Sequence, residues 1–454
     1  MRRIGFRLLA ASSLLWVLTA SAASRPRYGG TLHIALQAAP ASLDPANATQ
    51  SDSTVARNLL PLIYDSLVSL DEHGTPRPAL ARSWEVSASR QRWRFSLHSG
   101  VTFSDTTPLT GEIVAASLRA ANPTWRVSSA GDSIVIERDS PSPGLLAELA
   151  MPRYFIVKRD ADKLTGTGAF VVSQWDPAKK LVLMARDDYW NGRPFLDSVA
   201  VTLGKNYRDQ MMALDLGQEQ WIEIAPEQAH RAAGESRRVQ TSAPGDLLAL
   251  VFARDPQSPD EAKLRQSLSL SIDRGLINNV LLQGGGETTA ALLPNWMTGY
   301  EFVFPAAQDL TRAQQLRGEV PQARLWTLSY DTSDFLARVI AERVALNARD
   351  AGLRLQLGDL SASDVRLVRT PLVSPDPRVA LTGLAATVGL AQPNFTGDST
   401  EELYENEGAL LRMRRVIPLL HLRTAFAVSM NVRGWKIDRD GRWNLPDVWL
   451  AGKP

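Results

Sequence analysis

The chain has 454 residues, with 50 Lys and Arg against 48 Asp and Glu; this balance excludes the pronounced basic face that nucleic-acid binding requires. It contains no cysteine, which removes disulfides, thiolate metal sites, cysteine nucleophiles and lipid attachment through a cysteine. Its length exceeds what one hydrophobic core serves, so two or three lobes are expected.

Arg2, Arg3 and Arg7 precede an apolar run from Leu8 to Leu18, which ends in Ala20-Ser21-Ala22. The pattern predicts a cleaved signal peptide over residues 1–22, because the run is shorter than the roughly 20 residues that span a bilayer. Its removal takes three arginines and turns a formal charge of +2 slightly negative. Leu32, Ile34 and Leu36 recur with strand period, and Pro40 and Asp44-Pro45 force a loop after them. Trp93, Phe95 and Leu97 alternate with Arg94, Ser96 and His98 as in a half-buried strand. Thr110 is placed to cap a helix carrying Ile113, Val114, Leu118 and Ala121. Ile134-Val135-Ile136 reads as another strand.

Ser258-Pro259-Asp260-Glu261 is a helix start, with a cap serine, a first-turn proline and a glutamate three residues after the cap. Leu264, Leu268 and Ile272 follow on one face. Asp273 caps a second helix through Ile277, Val280 and Leu281, which Gly284 to Gly286 ends. Leu336, Val339, Ile340 and Val344 predict an amphipathic helix ending near Gly352, and Leu353, Leu355 and Leu357 predict a strand. This succession indicates α/β lobes.

Catalytic signatures are missing from the sequence. No HExxH pair, Walker A loop, GxSxG elbow or dinucleotide GxGxxG occurs. His33, His73, His98, His230 and His421 are scattered without metal-ligand spacing. These absences leave an enzyme reading with little to stand on, and no cofactor or metal is expected.

Several blocks then fall into one order. Gly29-Gly30-Thr31-Leu32 is followed by Ser42-Leu43-Asp44-Pro45, then by Tyr64 to Leu67 and Pro78 to Trp84. Val101 to Pro108 reads V-x-F-x-D-x-x-P. Gly166-Thr167-Gly168-Ala169-Phe170 leads to Asp188-Tyr189-Trp190-Asn191-Gly192-Arg193-Pro194. Leu264 to Leu268 leads to Ile272-Asp273-Arg274, and Ile417-Pro418-Leu419 and Asp447-Val448-Trp449-Leu450 close the chain. In this order the chain resembles the bacterial extracellular solute-binding proteins of family 5, the peptide, nickel and opine receptors of ABC importers.

The resemblance implies an α/β, periplasmic-binding-protein-like fold of two lobes joined by a hinge, with an extra small α/β domain. By the family pattern, lobe I is residues 23–52, 165–241 and 423–454, the extra domain 53–164 and the other lobe 242–422. The crossings are expected near Leu247 to Phe252 and Leu422 to Met430. It implies capture of a peptide or small solute between the lobes, delivery to an ABC permease complex in the inner membrane, a periplasmic location and a monomer. A receptor for a metal chelate or opine-like acid, or an interaction protein without a cleft, are the alternatives.

Within the binding reading, the loop carrying Gln37, Ala38, Ala39 and Pro40 is the expected first-lobe contact; a plain structural loop explains it nearly as well. Peptide receptors of the family often hold the ligand's amine with an aspartate before a YPDP-like turn. Here the turn is Ser374-Pro375-Asp376-Pro377, which puts Val373 in that place and leaves Asp376 or Asp364 as substitutes. His421 lies where nickel receptors use a histidine, against the alternative of a core histidine, and Arg423 shares its strand face. Trp296 is placed to stack on a ligand or to fill the lobe surface. Arg366 and Arg369 are paired carboxylate donors or plain exposed arginines, and Tyr189 and Trp190 are assigned to the core.

Overall fold

The computed structural model describes residues 25–38, 40–47, 54–161, 163–234, 237–322, 324–332, 334–358 and 363–452. The leader expected over residues 1–22 and the candidate contact Ala39 lie outside these.

The first strand forms over Thr31–Ala35, parallel to Ser198–Thr202 on one side and to Trp221–Ile224 on the other. Period-2 alternation drives this placement: Leu32 and Ile34 lie at 1% and 0% exposure in the core of the first lobe. The sheet has seven strands, in the order Phe170–Asp176, Lys180–Ala185, Ser198–Thr202, Thr31–Ala35, Trp221–Ile224, Ala425–Val428, Arg238–Thr241. Its strands come from three distant stretches of chain.

A second, six-stranded sheet runs in the order Gly286–Thr288, Val416–Leu422, Asp246–Phe252, Val365–Thr370, Leu325–Ser329, Arg354–Leu357. All of Asp246–Phe252 is buried. Leu247, Ala249 and Val251 enter one apolar layer, whereas Leu248, Leu250 and Phe252 enter the other. A strand covered on both faces reads as a continuous apolar run, which is why this segment lacks alternation. The connections between the lobes are the short segments 242–245 and 423–424. The second falls within the stretch Leu422 to Met430, whereas the first falls just before Leu247 to Phe252, because that run is a sheet strand of the second lobe. Apolarity signalled burial there but not which lobe each run joins.

The extra domain has an antiparallel sheet ordered Ala81–Val86, Arg92–Leu97, Ser133–Glu137, Arg126–Ala130. Trp93, Phe95 and Leu97 pack with Val114 and Leu118 of helix Gly111–Ala121, which Thr110 caps through its side-chain oxygen. Ser258 likewise caps helix Pro259–Ser271, accepting from Glu261 N at 3.1 Å, and the Glu261 carboxylate reaches back to Gln257 N at 3.0 Å. The second expected helix departs from a regular α-helix. Asp273 caps Arg274–Leu276, then Ile277–Leu281 widens to a π-turn, so Ile277 is buried while Val280 is 64% exposed.

Two glycines set how helix Thr54–Ile63, whose Leu59 and Ile63 pack in the core of the first lobe, meets the Gly166–Gly168 turn. A Cβ on Gly166 would stand 2.0 Å from Ile63 O, and one on Gly168 would stand 2.4 Å from Ile63 C. The two backbones therefore touch, with Gly168 N donating to Ile63 O at 2.9 Å. Beside this contact Asp65 accepts from Thr167 Oγ1 at 2.9 Å, Tyr189 OH at 3.0 Å and Trp190 Nε1 at 3.0 Å. The aromatic pair is thus part of the inter-domain packing. Among the described residues, no helix is long and apolar enough to cross a membrane.

Candidate functional site

The two crossing segments are held as a ribbon. Ser242 N donates to Thr424 O at 2.9 Å, and Thr424 N returns a bond to Ser242 Oγ at 3.0 Å. Arg423 donates to Ser242 O at 3.3 Å and to Glu287 Oε1 at 2.8 Å. From within the second lobe, the Trp296 indole N–H reaches Pro244 O at 2.7 Å.

The segment carrying Trp296 is itself anchored in the interior. Leu292 N, Leu293 N and Tyr300 OH all donate to the Glu407 carboxylate, at 2.6, 2.9 and 2.7 Å. Burial pushes that carboxyl above its ordinary pKa, against the pull of these donors. His421 is fully buried, with Nε2 3.1 Å from Leu292 O and Nδ1 3.7 Å from Glu301 Oε1. His421 thus serves the interior of this lobe.

Beside the crossings, the carboxyl ends of Trp221–Ile224 and Val365–Thr370 pair with Ala425 and Leu247, and open α/β sheets place ligands at such strand ends. On the first-lobe side Gln37 N donates to Glu223 Oε2 at 2.6 Å, and Glu223 N donates to Gln210 Oε1 at 2.9 Å. On the other side Arg369, near the end of Val365–Thr370, donates Nε and Nη2 to Asp246 Oδ2 at 2.9 and 2.6 Å. Burial opposes its charge, but Asp246, Tyr207 and Glu223 outweigh that and hold the guanidinium above its usual value. Burial, with Glu223 nearby, pushes the Tyr207 hydroxyl up to about 12. Burial likewise raises Glu223 and Glu227. The Arg369 guanidinium is thus held charged near Glu223 and Glu227, whose ionisation burial opposes.

A cavity of about 420 Å³ opens where the extra domain meets the second lobe. Its charged lining is Arg138, Arg153 and Glu148 from the extra domain and Arg378 from the second lobe. Arg138 pairs with Glu148 at 2.8 Å, and burial still lifts the Glu148 carboxyl. Arg90 reaches across to Asp398 at 2.8 Å, and Arg378 meets the same Asp398 at 3.3 Å. A neighbouring cavity of about 210 Å³ shares Met151 and Val373 as lining. Arg57 bridges there to the Leu372 carbonyl.

The sequence-derived candidates fall into three places. Gln37 and Ala38 are exposed at the first-lobe edge of the cleft, and Pro40 is buried. Trp296, His421 and Arg423 gather around the crossings, bonded to the backbone or interior of the protein. Asp376 caps helix Pro377–Val388, its Oδ1 accepting from Arg378 N at 3.0 Å and Val379 N at 3.1 Å. Val373 is 8% exposed and packs with Leu70, Ala147 and Val379. The sequence reading did not single out Glu223, Tyr207, Arg138, Arg153 or Arg378. Local signals for them are weak, since each gains its meaning from a partner far along the chain.

Residues 75–396 match the family model described as bacterial extracellular solute-binding proteins, family 5 Middle. The chain is 24% identical over 311 residues to a probable D,D-dipeptide-binding periplasmic protein of Escherichia coli (strain K12), covering 60% of this chain and 58% of that relative. The chain thus spans less than two thirds of that relative's length. The structure superposes on the nickel-binding protein NikA of Staphylococcus aureus, solved with Ni(L-His)2, with a TM-score of 0.78 at 18% identity, covering 93% of this chain and 100% of that one. It superposes on a dipeptide-binding protein of Pseudoalteromonas sp. SM9913, solved with Met-Leu, with a TM-score of 0.79 at 17% identity and the same coverage. At these identities the structural likeness is one of fold.

Proposed function

The chain belongs to family 5 of the bacterial extracellular solute-binding proteins, and from that membership we propose that it is the capture component of an ABC importer. It takes a peptide or related small solute between its lobes and presents it to a permease complex in the inner membrane. The observation that carries this reading is the architecture: two α/β lobes joined by 242–245 and 423–424, with Glu223 of the first lobe bonded to Gln37 N and Arg369 of the second paired with Asp246 beside the crossings. Hinge closure around a solute is a standard transition for such a design.

On this reading the chain catalyses nothing, acts as a monomer and works in the periplasm after loss of residues 1–22. The edge formed by Gln37 and Ala38 supplies the first-lobe wall of the cleft, with Arg369 opposite. Trp296, Arg423 and His421 act through the hinge and lobe interior, and Asp376 through the helix it caps.

Native mass spectrometry of the mature protein, purified gently from a periplasm, tests the proposal. Added masses of intact short peptides or one small solute are expected. A protein that stays bare when peptide pools and metal chelates are supplied sinks the capture reading and favours an interaction protein without a working cleft. Turnover of an added solute sinks the non-catalytic part.

A further inference from the structure

We infer that an apolar latch on the extra domain grips the Ser374-Pro375-Asp376-Pro377 turn of the second lobe, so that a fraction of molecules closes with no solute present. The capture reading concerns closure around a solute; the latch concerns closure without one.

One small apolar cluster carries the inference. Leu70 and Ala147 come from the extra domain, Val373 and Val379 from the second lobe, and Ala150 and Met151 pack against them. Among the described residues, none of the four buried side chains belongs to the core of its own domain. Leu70 is 6% exposed and Val373 8%. Separation of the domains returns both halves of the cluster to water, which is unfavourable for apolar surface. On the second-lobe side, the bare Gly383 leaves room for the Val373 methyls.

The extra domain presents its half on a stiff support. Leu70 ends the strand Val68–Leu70, which pairs with Pro76–Pro78. In the turn between them, the Asp71 carboxylate accepts from His73 N and Thr75 N, both at 2.9 Å, and from Arg77 Nε and Nη2 at 3.0 and 2.8 Å. Arg442 of the first lobe steadies the base of the hairpin by donating to Leu70 O at 3.3 Å. At its tip, Gly74 has a φ of +76°, and a Cβ there would stand 3.0 Å from Pro375 O, so backbone meets backbone across the junction. Two polar contacts flank the cluster. Arg57 of helix Thr54–Ile63 reaches the Leu372 carbonyl, and Arg90 pairs with Asp398 at 2.8 Å. Every partner in these contacts is a protein group, so a solute is not needed to form them.

The test follows the distance between the two domains in the mature full-length protein, stripped of solute. The chain has no cysteine, which allows one clean pair of spin labels, on Glu112→Cys of the extra domain and Asp350→Cys of the second lobe, both exposed positions. Double electron–electron resonance should find the short distance of this structure before any solute is added, and a mixed dipeptide library should enlarge that population. Leu70→Ala and Val373→Ala should each lower the ratio of short to long distances about fivefold or more, the effect of two or three buried carbons lost. The double variant should lose less than the product of the two, because both remove one shared contact. Gly74→Val, which crowds Pro375 without touching the apolar cluster, should lower the ratio as well. A long distance alone in the solute-free protein, or a distribution that all three variants leave unchanged, overturns the latch; shortening on addition of the library then leaves the capture reading standing. A distribution that the library does not move, with no heat on titration, overturns the capture reading, while the three variants still decide the latch.

Discussion

The indole N–H of Trp296 on the Pro244 carbonyl is a bond between a lobe interior and a crossing segment, so its removal should affect closure more than folding. In Trp296→Phe the ring still fills its place beside Leu292 and Leu293, whose cluster it joins. What disappears is one hydrogen bond of 2.7 Å to the carbonyl of a buried proline. A buried carbonyl left without a donor costs about 1–3 kcal/mol. An opened hinge lets water reach that carbonyl, so the penalty falls chiefly on the closed form. Since about 1.4 kcal/mol is tenfold in an equilibrium constant, solute affinity should fall about 5- to 140-fold while the apo-protein melts close to wild type. Titration of the dipeptide library, with solution scattering to follow closure, measures both. An unchanged affinity with a lowered apo melting temperature would show that the bond is equally made in both conformations, and the hinge argument would be refuted.

Other sites give cleaner stability tests. Gly166→Ala places a Cβ 2.0 Å from Ile63 O, so backbone must move; a loss of about 3 kcal/mol or more is expected, and a wild-type urea midpoint would refute the contact. Asp65→Ala leaves donors of Thr167, Tyr189 and Trp190 without their shared acceptor, and chemical denaturation should show about 3–5 kcal/mol lost. His421→Ala, which empties a fully buried site and frees Leu292 O, should lower apo stability by about 2–4 kcal/mol; a drop in solute affinity alone would restore it as a ligand contact. Lys158, donating to Asp105 at 2.7 Å, brings the Asp105 carboxyl from 3.8 down to about 2. Because the folded-state value is depressed, the stabilisation is present above pH 4 and is lost as pH falls through about 2. The stability gap between wild type and Asp105→Asn should close over that window, and a gap independent of pH would count against the pairing.

Much of the fold is legible because its signals are local. Thr110, Ser258 and Asp273 announce helix starts through side-chain oxygens three residues from the amides they cap. Leu32 and Ile34, or Trp93 and Phe95, declare a strand face by alternation alone. The same logic fails at Asp246–Phe252 and Ala425–Val428, where total burial erases the alternation and with it any sign of which sheet each strand enters. The order of sequence blocks identified the family, yet it did not explain the Gly-Thr-Gly block. Its reason is a backbone contact with Ile63, about a hundred residues earlier.

The cleft is less legible for the same physical reason, carried further. Gln37 meets Glu223 across 186 positions, and Arg369 meets Asp246 across 123. In a chain with 50 cationic residues, no local pattern separates those two partnerships from ordinary surface charge. Val373 is the instructive intermediate. Its place before the Ser374-Pro375-Asp376-Pro377 turn marks it from sequence as a site where an acid is missing. Only the structure shows what holds the valine there: a Cβ on Gly383 would stand 2.4 Å from Val373 Cγ2, so the bare glycine makes room for the branched side chain. The two residues form one packing unit. A change at either position alone reshapes the cavity wall, which ties solute preference to a helix residue ten positions away that carries no charge and no side chain.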